Sequence, residues 1–282
     1  MKPDTLAVLG LGAIGGSAAW QARLAGVHHV IGWSPERTEP VQALQAGALS
    51  EIADSAEAAV RGADLVLLAT PPGATIELIG RLASHLGSGA IVTDVASVKG
   101  PVIARAREVG LTACFAGGHP MAGTHEWGWS AARADRLRGA LVYITPTDPI
   151  AGEHAARQVI GFWREVLEAE PVLIDAETHD RRLAWTSHLP QAVASALAVT
   201  LADCGLNSVD FGAGARDTLR LAASQSALWA DILLQNRGPV DTALEGLEGS
   251  LARLRALIAA GDAAGLLQFL EKGSDFRRGL GS

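Results

Sequence analysis

A glycine-rich turn near the start of the chain, residues 10–15, constrains the fold more than any other segment. An apolar run at residues 6–9 precedes it, and a helical pattern over residues 14–24 follows, so the turn joins a strand to a helix. The first glycine permits the tight turn, the second lets a pyrophosphate approach the backbone, and the third lets the helix pack on the strand. The helix N-terminus then offers N–H groups to the phosphates. We predict a dinucleotide site formed by Gly10, Gly12, Ala13, Ile14 and Gly15.

Short apolar runs alternate with helical patterns through the first part of the chain. The predicted strands are residues 6–9, 29–32, 65–70, 90–94, 114–117, 141–145 and 171–174, and predicted helices include residues 14–24, 35–46 and 150–167. This alternation predicts a Rossmann-like, doubly wound and mostly parallel sheet with helices on both faces.

From residue 175 onward the strand signals vanish. One helix is predicted from residue 175 to about 204, and others begin at residues 217, 228 and 262. We therefore expect two domains, a dinucleotide-binding α/β domain at 1–174 and an all-α domain at 175–282. A seam of apolar residues at spacings of three and four predicts packing within this domain or against a second subunit. The seam consists of Leu244, Leu247, Leu251, Leu254 and Ile258.

Composition excludes several classes of function. The chain has 282 residues, of which 49% are hydrophobic and 19% charged, which is typical of a globular protein. Its net charge of −7 disfavours nucleic acid as a partner. Cys114 and Cys204 provide neither a disulfide framework nor a zinc-binding spacing, so we expect no metal. We find no signal peptide and no apolar run that spans a membrane, and a cytoplasmic location is expected.

The end of the second predicted strand distinguishes NAD from NADP. A carboxylate at this place binds the ribose 2′-hydroxyl, whereas an arginine accommodates a 2′-phosphate. Ser34 occupies the expected acidic position and Arg37 follows it, so the sequence favours NADP. The alternative is that Glu36 reaches the ribose and Arg37 is a surface charge. Thr70, at the end of a later strand, is expected to line the same crevice.

Two further strand ends carry polar side chains. Residues 117–124 place His119 in a glycine-framed segment, where it acts either as a general base or as a turn residue. Ser97 follows the predicted strand at 90–94 and lies either in the reacting site or at the start of the next helix. Because carboxyl ends of parallel strands meet at one edge, we expect both near the nicotinamide. Lys99 is interpreted as a surface or phosphate-neighbouring charge.

Several motifs, spread over nearly the whole chain, resemble the prephenate/arogenate dehydrogenases. They are Gly-Leu-Gly-Ala-Ile-Gly-Gly-Ser at 10–17, residues 94–99 and 117–124, His179-Asp180, Ser187-His188-Leu189-Pro190, residues 214–220, Trp229 and Asn236. The resemblance implies an oxidative decarboxylation in tyrosine biosynthesis that uses NAD or NADP. It implies that His119 accepts the hydroxyl proton and that Ser97 holds the same hydroxyl or orients the imidazole.

The resemblance also implies a substrate pocket at the helical half. Thr124, His188 and Gln191 are expected to contact prephenate or arogenate, and Arg220 to bind a carboxylate. In a regular helix His188 and Gln191 share one face. His179, nine positions before His188 (188 − 179), would point nearly the opposite way, and we expect His179 and Asp180 to brace the helix start. For Arg220 the alternative is a surface ion pair with Asp217.

Two departures from the family pattern leave the substrate open. Gln191 stands where the family often has histidine, and His125 separates Thr124 from Glu126. Glu126 would suit the ammonium group of arogenate. The competing functions are another two-domain reductase, of the β-hydroxyacid dehydrogenase or imine reductase type, and a non-catalytic NAD(P)-sensing protein. The first commonly uses a lysine on the helical domain, and none lies between residues 175 and 260. A homodimer through the helical domain is expected.

Overall fold

The computed structural model describes residues 2–123, 126–205 and 207–280. Strands β1–β8 are Thr5–Leu9, His29–Trp33, Glu51–Ile52, Leu65–Leu68, Ile91–Asp94, Ala116–Pro120, Leu141–Pro146 and Glu170–Leu173. Helices α1–α6 are Ala13–Leu24, Thr38–Gln45, Ala56–Val60, Pro72–Leu82, Gly100–Glu108 and Glu153–Gly161. Helices α7–α12 are Ala176–Leu183, Leu189–Ala202, Ala213–Thr218, Ser226–Gln235, Arg237–Ala260 and Ala263–Gly279.

A five-stranded parallel sheet, in the order β3-β2-β1-β4-β5, forms the centre of the first half. Alternate residues of a strand point to opposite faces, and β1 shows both faces buried. Leu6 and Val8 belong to one buried apolar cluster, whereas Ala7 and Leu9 belong to another. Helices therefore cover the sheet on both sides, and the predicted doubly wound parallel arrangement is confirmed.

A second, three-stranded sheet follows in the order β6-β7-β8. Here β6 and β7 are antiparallel, so the parallel series predicted from the sequence does not continue through them. A single parallel bridge between Val92 and Phe115 connects the two sheets. The strand predicted to end at residue 117 in fact runs over Ala116–Pro120, so His119 lies within a strand and not in a loop after it.

The helix predicted from residue 175 to about 204 is found, but it is not regular. Asp175 caps its start, accepting a hydrogen bond from Thr178 N at 2.8 Å. A π-helical segment, Ala184–His188, separates α7 from α8. The predicted helix start at Asp217 is wrong, because Asp217 lies near the end of α9, whereas Asp262 does cap α12.

Contacts divide the chain into two compact units, residues 1–236 and 237–282. The first unit thus includes α7–α10, of which α7 contacts α5 and α10 contacts α4. In the second unit α11 and α12 pack on each other. No helix in the described part of the chain is long and apolar enough to cross a membrane.

Gly15 is the residue at which α1 meets the end of β1. A Cβ atom at this position would lie 2.6 Å from Ala69 Cβ and closer still to the Gly10 carbonyl oxygen. At Gly12 the nearest atom to an added Cβ is Gly128 N at 3.9 Å. We expect Gly15→Ala to lower the free energy of unfolding by about 1–3 kcal/mol, since the clash displaces α1.

Gly12→Ala is the matched control, and we expect its unfolding free energy to stay near that of the parent chain. Both variants are compared by urea unfolding. Equal stabilities for Gly15→Ala and the parent would contradict the close packing described here.

Candidate active site

The glycine turn forms an open cradle at the carboxyl end of β1. Gly10 has φ +94°, and a Cβ atom there would lie 2.7 Å from the Ala69 carbonyl carbon, so only glycine fits this turn. Helix α1 begins at Ala13 after Gly12, and no described side chain caps it. The free N–H groups and the open space at Gly12 fit a pyrophosphate. Thr70 packs against Gly10 from the end of β4.

At the end of β2, Ser34 is buried and its hydroxyl has two partners. Its Oγ accepts a hydrogen bond from Leu11 N at 3.1 Å and donates to Glu39 Oε2 at 3.4 Å. Arg37 lies in an exposed pair with Asp54 at 3.6 Å. The carboxylate nearest the turn is therefore that of Glu39, which the sequence analysis did not single out.

His119 is the centre of a buried hydrogen-bonded chain. It is 8% exposed, and its Nδ1 lies 2.8 Å from His179 Nε2. His179 Nδ1 in turn lies 2.7 Å from Asp180 Oδ1. Burial, reinforced by the neighbouring His179, Lys99 and His188, lowers the pKa of His119 well below its usual value. His119 is thus a neutral imidazole at neutral pH.

The hydrogen-bond acceptors in the series His119–His179–Asp180 determine which imidazole nitrogens are protonated. A carboxylate only accepts, so Asp180 takes the hydrogen bond from His179 Nδ1–H. Burial lowers the pKa of His179, which leaves its Nε2 as an acceptor. His119 must then donate through Nδ1–H, and its Nε2 carries the lone pair. This nitrogen is the one that can remove a proton from a substrate.

Asp180 connects this chain to the first half of the molecule. Its Oδ1 accepts from Lys99 N and its Oδ2 from Gly100 N, both at 2.7 Å, at the start of α5. Burial raises the pKa of Asp180, but the hydrogen bonds from His179 and from these two N–H groups outweigh it, so the pKa is lowered. Helix α5 begins at Gly100 with Lys99 as its cap residue, so the interpretation of Ser97 as a helix cap is wrong.

Lys99 is fully buried, which corrects its interpretation as a surface charge. Its Nζ forms an ion pair with Asp94 and donates to the Gly118 carbonyl oxygen at 2.7 Å. Burial lowers the pKa of Lys99 and raises that of Asp94. An added Cβ at Gly118 would lie 2.6 Å from the Asp94 carbonyl oxygen, and one at Gly117 would lie 3.0 Å from Lys99 Cδ. The two glycines before His119 thus make room for this buried pair.

His188 is fully buried and has one free donor. Asn236 Nδ2 donates to the Asp180 carbonyl oxygen and to His188 Nδ1, both at 2.9 Å. His188 Nδ1 is therefore the acceptor, and its Nε2 carries the hydrogen. This Nε2 is buried and has no partner among the described residues. A buried donor without a partner suits a ligand oxygen, because leaving it unpaired is costly.

The π-helical segment corrects the predicted directions of the two histidines. Nine residues of regular α-helix separate two side chains by about 180°. A π-segment inserts about one extra residue into the turn, which reduces the separation to about 80°. His179 and His188 are accordingly both buried, and besides burial both histidines lower the pKa of His119. His179 and Asp180 act on His119 and α5 and do not brace the helix start.

The other predicted site residues differ in their surroundings. Gln191 is buried, its Nε2 donates to the Leu221 carbonyl oxygen at 2.9 Å, and its Oε1 has no partner among the described residues. Arg220 is exposed and makes no ion pair with Asp217 in the described structure. Ser97 is half-buried and is not bonded to His119, whose Nδ1 is paired with His179. Thr124 and His125 lie outside the described residues.

Four residues of the candidate site were given no site role from the sequence, namely His179, Asp180, Asn236 and Tyr143, although the first three lie in the motifs that resemble the family. Tyr143 is opposite His119 across β6 and β7, and its ring meets that of His179 edge-on at 5.7 Å. The adjacent pair His179-Asp180 was a usable signal, since a carboxylate beside a histidine often orients it. The π-segment, which brings the histidines together, has no such signal.

Both halves of the chain match known domain families. Residues 18–169 match the family model described as the nucleotide-binding domain of prephenate dehydrogenase, and residues 175–272 match the one described as its dimerization domain. The chain is 32% identical to the prephenate dehydrogenase of Bacillus subtilis, over 98% of this chain and 76% of that protein. It is 33% identical to the cyclohexadienyl dehydrogenase of Zymomonas mobilis, over 98% and 95%.

Solved structures of prephenate and arogenate dehydrogenases superpose on this chain. A prephenate dehydrogenase from A. aeolicus, in complex with hydroxyphenyl propionate and NAD+, superposes with a TM-score of 0.90 at 30% identity, over 98% of both chains. The arogenate dehydrogenase from Synechocystis superposes with a TM-score of 0.80 at 29% identity, over 98% of this chain and 99% of that one.

The buried histidines predict a loss of stability in acid. Burial lowers the pKa of His188 from 6.5 to about 4. Between these values the unfolded chain binds a proton that the folded chain does not, so the free energy of unfolding falls as the pH falls from 6.5 to 4. His188 alone contributes about 3 kcal/mol to this loss. Urea unfolding as a function of pH measures it.

We expect His188→Gln to show a smaller acid dependence than the parent chain. Exposed His154, changed to Gln, is the control and should leave the dependence unchanged. The same pH dependence in His188→Gln and the parent would contradict a neutral, buried His188.

Proposed function

This chain belongs to the prephenate dehydrogenase family, and we propose that it oxidatively decarboxylates prephenate to 4-hydroxyphenylpyruvate in tyrosine biosynthesis, with transfer of a hydride to NAD(P). The observation that carries the proposal is the series of hydrogen bonds from Asp180 through His179 to His119. It leaves the Nε2 of a neutral His119 imidazole unprotonated. Arogenate, with an amino group in place of the keto group, is the alternative substrate. The carboxylate of Glu126 lies 4.0 Å from Arg133, which weakens its case as an ammonium ligand.

The dinucleotide would be held by the glycine turn. Gly10, Gly12 and Gly15, with the N–H groups of Ala13 and Ile14, fit its pyrophosphate, and Thr70 borders the crevice. When bound, the nicotinamide supplies the hydride acceptor. Proton transfer and substrate binding are carried out by side chains of the protein.

His119 moves one proton during the reaction. Its Nε2 accepts the proton of the ring hydroxyl as the hydride leaves the ring carbon that bears this hydroxyl. The ring carboxylate then leaves as CO2, its bonding electrons complete the aromatic ring, and His119 returns the proton to the oxygen. The imidazolium that forms in between is buried, and Asp180 offsets its charge through His179. The charge of Lys99 is already compensated by Asp94.

Substrate binding is proposed to involve four side chains. His188 offers its free Nε2–H and Gln191 its free Oε1. Arg220, exposed and without a described carboxylate partner, is proposed to bind a carboxylate of the substrate. Ser97, half-buried after β5, is proposed to contact the ring hydroxyl, since the orienting role belongs to His179. Thr124 remains a prediction from the sequence.

The helical part is proposed to form a homodimer. Residues 175–272 match a dimerization domain, and α11 presents apolar side chains to solvent. Leu251 is 54% and Ile258 61% exposed in the single chain. This favours the interpretation of the predicted seam as an intersubunit contact. We propose residues 1–174 as the cofactor half and 175–282 as the substrate and dimer half of the enzyme.

The first test is an assay of His119→Asn. Asparagine forms hydrogen bonds but does not take up a proton, so we expect turnover of prephenate to fall about 10²–10⁴-fold while the dissociation constant of the dinucleotide is unchanged. The control is His154→Asn, at an exposed position. Near-normal turnover in His119→Asn would refute the role of this residue as the base. The same assay with arogenate compares the two substrates.

Arg220→Ala tests carboxylate binding. Losing a bidentate contact to a charged group weakens binding by about 10- to 100-fold, so we expect KM for prephenate to rise by that factor while KM for the dinucleotide stays constant. Arg216→Ala, on the same segment, is the matched control. A parallel rise in both KM values would indicate a folding defect and argue against the assignment.

Light scattering tests the dimer. We expect the parent chain to elute as a dimer and the double variant Leu251→Glu/Ile258→Glu as a monomer, because buried charges without partners oppose association. Leu24→Glu, at an apolar residue that is 71% exposed in the first unit, should remain dimeric. A monomeric parent chain would overturn this proposal.

A further inference from the structure

We propose that the carboxylate of Glu39 binds the adenosine ribose and makes the enzyme select NAD over NADP. The inference deepens the proposed function, on which it rests, and it reverses the preference for NADP that the sequence favoured. It follows from the contacts of Glu39, Ser34 and Arg37 around the glycine turn.

Glu39 lies where a ribose-binding carboxylate is needed. It is the second residue of α2, and its Oε2 lies 3.4 Å from Ser34 Oγ, immediately after β2. Its Oε1 lies 4.0 Å from a Cβ built at Gly12 and 3.6 Å from one built at Gly128. The carboxylate therefore spans the space between the end of β2 and the glycine turn. In dinucleotide-binding folds an acidic side chain at this place accepts the ribose 2′-hydroxyl.

Ser34 supports this carboxylate and is not available to a phosphate. It is 5% exposed, its hydroxyl proton is directed to Glu39, and its oxygen accepts the N–H of Leu11. A 2′-phosphate at this place would need the hydroxyl to turn away from Glu39. Ser34 thus connects the glycine turn to Glu39 and fixes where the carboxylate lies.

The charges around the turn oppose a 2′-phosphate. Such a phosphate carries nearly two negative charges at neutral pH and would lie beside the carboxylate of Glu39. Arg37, the residue that suggested NADP, is paired with Asp54 and 70% exposed. Glu36 is exposed and has neither a hydrogen bond nor an ion pair among the described residues. Among the described residues around the end of β2, Glu39 is therefore the group that distinguishes a 2′-hydroxyl from a 2′-phosphate.

Calorimetric titration of the full-length enzyme with NADH and with NADPH tests the proposal. We expect the parent chain to bind NADH at least about tenfold more tightly, because a hydrogen bond to a charged acceptor is lost with NADPH and repulsion is added. In Glu39→Gln we expect NADH to bind about tenfold more weakly and NADPH more tightly. Glu36→Gln, three residues away, is the matched control and should keep the parent's ratio.

The outcomes separate this proposal from the function on which it rests. Tighter binding of NADPH by the parent chain overturns the role of Glu39 without any variant, while leaving the dehydrogenase intact. An unchanged NADH-to-NADPH ratio in folded Glu39→Gln, or an equal change in Glu36→Gln, also overturns it. Failure of the parent chain to bind either dinucleotide would instead overturn the proposed function itself.

Discussion

The Asp180 carboxylate is the interaction on which the rest of the site depends. It accepts hydrogen bonds from Lys99 N and Gly100 N at the start of α5 and from His179 Nδ1. One group therefore attaches the helical segment to the α/β half and sets the direction of the proton chain. Asp231 makes a similar attachment, since its Oδ2 accepts from Gly73 N in the first turn of α4 at 2.7 Å. Helices α7 and α10 are thus each joined to the α/β part by a carboxylate at a helix N-terminus, where negative charge is stabilised.

The strand that carries His119 is shaped by what lies beneath it. Gly117 and Gly118 leave room for the buried Lys99–Asp94 pair, and Lys99 Nζ also holds the Gly118 carbonyl oxygen. A buried ion pair stabilises little by itself, but removing one partner leaves an uncompensated charge. The Lys99–Asp94 pair therefore fixes the position of β6 relative to β5. His119 lies on a strand that is buried throughout, and burial also lowers the pKa of its imidazole.

Much of the fold was predictable because its signals are local. The glycine turn, the apolar strands and the helix starts at Asp175 and Asp262 each depend on neighbouring residues, and the structure agrees with them. His119 was predicted as a site residue because its sequence context is distinctive. The antiparallel pairing of β6 with β7 and the π-helical segment were not predicted, since both are set by contacts between distant parts of the chain. The partnership of His119 with His179, 60 residues away, depends on both.

The most direct test is the tautomer of His119, read from the ¹⁵N chemical shifts of the imidazole nitrogens in the uniformly labelled full-length enzyme. His119→Asn assigns the signals among the eight histidines. We predict at neutral pH a neutral ring with the proton on Nδ1 and an unprotonated Nε2, and the loss of this single tautomer in His179→Ala. A proton on Nε2, or an imidazolium at neutral pH, would contradict the account.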